Sequence, residues 1–138
     1  MKYLVMIQAS QAEYEAMRGK ASGAGPAWGE KDLRAMYSFM EKLNGDLTET
    51  GEMVDGQGLS EPARARTVAL GADGRPVSSD GPYGDTEELL CGYWVLDCAS
   101  LERVTEIAER ILQCPGPEGV TNHPVTIRPI MEGGGDMR

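Results

Sequence analysis

The apolar positions of this chain change their spacing as the chain advances, and each change marks an element. Leu4, Val5, Met6 and Ile7 are contiguous within Tyr3 to Gln8, which predicts a strand covered on both faces. Leu33, Met36, Tyr37, Met40, Leu43 and Leu47 recur at three- and four-residue steps. That stripe predicts an amphipathic helix over Glu30 to Thr50, with Glu30 and Asp32 in its first turn and Gly51 as its stop. Glu52 to Leu59 reads as a strand weakened by Gly56 and Gly58, and Pro62 breaks the chain. Ala65 to Gly71 and Arg75 to Ser79 flank Asp73-Gly74, the signal of an antiparallel hairpin. Gly92 to Cys98 is the most strand-like run. Ser100 can cap a second helix, in which Leu101, Val104, Ile107, Ala108, Ile111 and Leu112 form the apolar stripe. Cys114-Pro115-Gly116-Pro117 ends it, and Val125 to Ile130 closes the pattern as a strand. Ala9 to Gly29 carries Gly19, Gly23, Gly25 and Pro26 and reads as a surface loop, with at most a helical turn at Ala12 to Met17. Beside a cleft such a loop could act as a lid; plain connection is the simpler role.

The predicted order is β-α-β-β-β-β-α-β. Without the central hairpin's extra strand it is the split β-α-β plan of ferredoxin-like domains, an α+β fold with two helices on one face of an antiparallel sheet. Two helices leave the other sheet face bare, including part of Tyr93, Trp94, Val95 and Leu96. A bare apolar face calls for a partner, and a homodimer packed face to face is the simplest one. One domain is expected over residues 1–132, followed by a frayed tail over 133–138 that begins with Gly133-Gly134-Gly135.

Charge narrows the partners. With 13 basic and 22 acidic residues in 138, the net charge is −9. Such a surface is a poor binder of nucleic-acid phosphates. No apolar run approaches the ~20 residues that span a bilayer, and the opening run is too short for a signal peptide. Three cysteines without C-x-x-C spacing argue against a disulfide framework and a structural zinc site, and a cytoplasmic location is expected. His123 is the single histidine, so one chain cannot hold a multi-histidine metal site. No metal or cofactor is expected.

The candidate chemistry gathers around Asp80-Gly81-Pro82-Tyr83-Gly84-Asp85-Thr86-Glu87-Glu88, an acid-rich loop feeding the strongest strand. Asp80 is either a general base or ligand contact, or the anchor of an Asx turn. Tyr83 is a hydrogen-bond donor or an aromatic plug. Asp85, Glu87 and Glu88 offer oxygen ligands but lack calcium-loop spacing, which favours a solvated acidic turn. His123 could act as a base; without an orienting partner in sequence a loop residue is the simpler reading. Arg128, in the last strand, is expected to approach Asp80 or share a ligand with it. Arg64 and Arg66 could join the same pocket if the sheet brings them close, and Trp94 is a further ligand-contact candidate. These readings favour a small polar or anionic ligand in a cleft near Asp80, with catalysis by Asp80, Tyr83 and His123 an open question. The contrasting reading is a non-catalytic regulatory or protein-interaction module.

The Asp80 to Glu88 run resembles the DGPFAETKE signature of the DGPF-type proteins within the YCII-related superfamily. Met1-Lys2-Tyr3-Leu4, Gly58-Leu59 with Pro62 and Arg66-Thr67-Val68, Gly92-Tyr93-Trp94, and Ile127-Arg128-Pro129-Ile130-Met131-Glu132 are similar to other parts of that family's pattern. The resemblance implies a dimeric α+β barrel of ferredoxin-like protomers. It implies no defined activity, although some members are thought to sit beside extracytoplasmic sigma factors and the wider superfamily is suspected of enzymatic work with an Asp and a His. Tyr83 stands where the family usually has Phe, and Glu88 near where it has Lys. Trp28 to Tyr37, the region of the superfamily's His, contains no histidine. The Asp–His pair therefore does not carry over whole, and His123 matches no motif position.

Overall fold

The computed structural model describes residues 1–20, 25–80, 84 and 86–133. The elements are β1 (Lys2–Ser10), α1 (Gln11–Met17), α2 (Glu30–Glu49), β2 (Met53–Gly58), β3 (Arg66–Leu70), β4 (Pro76–Asp80), β5 (Glu88–Asp97), α3 (Leu101–Ile111) and β6 (Thr126–Pro129). Four strands form one sheet in the order β2-β5-β1-β6, with every neighbouring pair antiparallel. β3 and β4 form a separate two-stranded sheet. The fold is mixed α+β. No helix among the described residues is long and apolar enough to cross a membrane.

Alternation along the two central strands decides which face is covered. Tyr3 and Val5 of β1 and Trp94 and Leu96 of β5 are buried, and they pack with Leu43 and Leu47 of α2 and with Val104, Ile107 and Ile111 of α3. Both long helices therefore lie on one face, as period-2 burial on a strand and period-3.6 burial on a helix require. The intervening residues Leu4, Met6, Tyr93 and Val95 are half-buried on the opposite face. Ser100 caps α3 by accepting a hydrogen bond from the Arg103 amide at 3.1 Å. Beside that cap, Arg103 grips Glu52 through two hydrogen bonds of 2.8 and 2.9 Å, tying α3 to the segment leading into β2.

Two local features depart from the sequence reading. The segment after β1 holds more than the helical turn expected at Ala12 to Met17, because Gln11–Met17 is an α-helix. Its start is a capping box: Ser10 Oγ accepts from the Glu13 amide at 3.2 Å, and the Glu13 carboxylate accepts from the Ser10 amide at 3.0 Å. The second departure lies in β5, which begins at Glu88 rather than Gly92. Ile7 pairs with Gly92 but Gln8 pairs with Leu90, so Cys91 is an extra residue without a partner on β1. This bulge shifts the start of β5 by one residue against β1, and beyond it Ser10 stands opposite Glu88. The Asp73-Gly74 hairpin forms as its turn signal requires, with Gly74 at φ 79.

Candidate functional site

The capping box and the bulge together build a site. The capping box holds Glu13 at the first turn of α1. The bulged ladder brings Glu88 beside Ser10, the residue that caps the same helix. His123 arrives from the irregular segment before β6 and lies between the two acids. Its Nε2 is 2.8 Å from Glu13 Oε1 and 2.7 Å from Glu13 Oε2. Its Nδ1 is 3.2 Å from Glu88 Oε1. A neutral imidazole has one N–H and can donate to one of these carboxylates; an imidazolium donates to both.

His123 and Glu13 stand in the wall of a cavity of about 440 Å³. β1, α1, the N-terminal half of α2, the end of α3 and the 120–125 segment supply its lining, which is mostly apolar. The helical stripe of α2 thus divides its work: Leu43 and Leu47 are buried core, whereas Met36, Tyr37 and Met40 line the cavity. Trp28 closes part of the wall. Its amide donates to the Ala16 carbonyl at 2.8 Å, and its ring lies so near Gly116 that a Cβ there would sit 3.2 Å from it. Tyr14 donates its hydroxyl to the Leu59 carbonyl at 2.7 Å. Burial first, then the negative fields of Cys91 and Glu61, push the Tyr14 hydroxyl up to about 12. Burial and the nearby Glu13 push the Cys91 thiol up to about 11. Both groups keep their protons near neutrality, so Cys91 is not an activated nucleophile.

Among the described residues, Glu13, Glu88 and His123 are also the group whose ligand atoms, one from each, lie within 4.8 Å of one another. One imidazole nitrogen and carboxylate oxygens are a donor set that could hold a divalent cation.

The other residues singled out in the sequence fall elsewhere. Asp80 pairs with Arg66 across the β3–β4 ladder at 2.7 Å, and both side chains are about two-thirds exposed at 70% and 66%. Arg128 makes no ion pair with Asp80. It stands opposite Leu4 on β1 and is exposed, and its side chain has no hydrogen bond or ion pair among the described residues. The reason is topological: β6 joins the main sheet, whereas Asp80 ends the separate hairpin. Trp94 is buried, and its indole N–H donates to Asn44 Oδ1 at 2.8 Å, beside a smaller recess of about 240 Å³. Tyr83 and Asp85 lie outside the described residues. None of Asp80, Arg66, Trp94 or Arg128 lines the larger cavity. Glu13 was missed in the sequence. Its signal was the Ser10-Gln11-Ala12-Glu13 spacing of a capping box.

Residues 1–120 match the YCII-related domain. The chain belongs to the YCII-related family. Similarity extends to an uncharacterized protein of Rhizobium meliloti (strain 1021), 27% identical over 82 residues, or 59% of this chain and 65% of that relative. In this YCII-related protein Glu13 and Glu88 fall within the family match, and His123 falls three positions beyond it.

Proposed function

We propose that this YCII-related protein binds a small organic molecule in the cavity between α1, α2 and the sheet, with Glu13, held by His123, meeting the ligand's polar group. The observation that carries this reading is the imidazole held between two carboxylates at the wall of a mainly apolar cavity. Binding sites commonly combine an apolar body with a few convergent polar groups, and this one has the size of a small-molecule site. The same pair gives the site a capacity for proton transfer. The Glu13 carboxylate, which lines the cavity and is hydrogen-bonded to His123 Nε2, is a candidate proton acceptor for a bound substrate. Asp80, exposed and paired with Arg66, has no part in this reading.

The finer fold assignment belongs here as well. The strand order, with β1 central between β6 and β5, and two long helices on one face support a ferredoxin-like arrangement. The half-buried row Leu4, Met6, Tyr93 and Val95 supports a homodimer packed through the opposite face. The Asp80 to Glu88 run supports the DGPF-type subgroup.

A fragment screen by thermal shift tests the ligand reading. Fragments that bind should raise the melting temperature with concentration. The shift should vanish in Met36→Trp, which fills the cavity, and weaken in His123→Asn. Hits indifferent to both changes would place binding elsewhere and overturn the reading.

A further inference from the structure

We infer that the cavity selects a ligand with one positively charged amine on an apolar body, such as an arylalkylamine. The inference rests on the cavity reading above and adds the charge and hydrogen-bonding sense of the ligand.

Two polar side chains of the lining, Tyr14 and Asn122, offer acceptors, because their donors are already spent. Tyr14 gives its hydroxyl proton to the Leu59 carbonyl at 2.7 Å, leaving oxygen lone pairs. Asn122 gives its amide nitrogen to the Leu112 and Cys114 carbonyls at 2.8 and 2.9 Å, leaving its oxygen. Glu13 contributes a carboxylate whose side chain is only 27% exposed. Among the described lining residues Glu13 is the one carboxylate and His123 the one imidazole; no lysine or arginine is present. A carboxylate or phosphate ligand would meet these acceptors and the Glu13 carboxylate with no lysine or arginine in the described lining to offset its charge. An ammonium, with three donors and no acceptor, meets groups of the required sense.

Two further observations favour a cation. Trp28, Tyr14 and Tyr37 bring aromatic rings to the wall, and aromatic faces attract cations. The whole chain carries −9, which concentrates cations near its openings. Glu88 adds to this from outside the cavity lining, because it holds the other nitrogen of His123.

The test uses the full chain and three probes of similar size: 2-phenylethylamine, 2-phenylethanol and 3-phenylpropanoate, with dissociation constants from calorimetry at pH 7. The amine should bind at least tenfold more tightly than the alcohol, with the carboxylate weakest. Glu13→Gln, which preserves the capping box, should bring the amine to the alcohol's level. Tyr14→Phe should weaken the amine more than the alcohol. Carboxylate binding equal to or tighter than amine binding would overturn the inference. Equal binding of amine and alcohol, both lost in Met36→Trp, would overturn the charge preference while leaving the cavity reading intact. Failure of all three probes to bind would also overturn it, and the fragment screen then decides separately whether the cavity reading falls too.

Discussion

His123 Nε2 lies 2.7 Å from Glu13 Oε2 although 110 positions separate the two residues. The contact joins the start of α1 to the segment before β6, so it also has a structural role. Glu13→Ala removes both the hydrogen-bond partner of His123 and one arm of the capping box, and should cost about 1–2 kcal/mol. Glu13→Gln keeps the cap and should cost less. In a double-mutant cycle with His123→Asn, urea unfolding at pH 7 should give a coupling of about 0.5 kcal/mol or more. Strictly additive changes would show that the contact contributes nothing to stability.

Glu52 provides the clearest pH dependence. The two Arg103 hydrogen bonds hold its carboxyl well below the ordinary 4.5, at about 2, against the opposing effect of burial. The folded pKa is depressed, so this contribution is complete above about 4.5 and is lost as pH falls from there toward about 2. Arg103→Ala should lower stability at pH 7 by about 1.5–3 kcal/mol. The difference between variant and parent should shrink when urea unfolding is repeated near pH 2.5. A difference independent of pH would assign the loss to packing.

Asp80→Asn should change stability by less than about 0.5 kcal/mol, because its ion pair with Arg66 is exposed on both sides. It should leave the affinity of any cavity ligand unaltered. Loss of binding in this variant, with folding intact by circular dichroism, would return the site to the β3–β4 hairpin.

Much of the main architecture was legible, because strands and helices that bury a face announce their period. The α2 and α3 stripes and the run in β5 appear within a few residues of their predicted bounds. The acid-rich loop reads as a site in sequence because acids and glycine beside a strand resemble one when pairing is unknown. Asp80's partner was a cross-strand neighbour, Arg66, and strand register is needed to see it. The Glu13–His123–Glu88 cluster depends on a helix cap, a bulge and a chain reversal, which are tertiary relationships with weak local signals. His123 lacked an orienting partner in sequence because its partners are remote in sequence, not because they are missing.

The proposed homodimer can be tested at the sheet face opposite the helices. Val95→Glu places a charge among Leu4, Met6 and Tyr93 without touching the helix-side core. In sedimentation at micromolar concentration the parent should run as a dimer of the 14.9 kDa chain and the variant as a monomer. A parent sedimenting as a monomer throughout would remove the proposal.

Cys91, left out of the ladder with β1, has a consequence for the address of the acid three residues before it. If Cys91 entered the ladder opposite Gln8, the residues before it would each slide one step along β1. Leu89 would then face Ser10, and Glu88 would overshoot the end of the strand by about 3.3 Å. The bulge therefore works as a vernier: one idle residue sets where on the neighbouring strand a carboxylate falls, and the imidazole of His123 reads that setting.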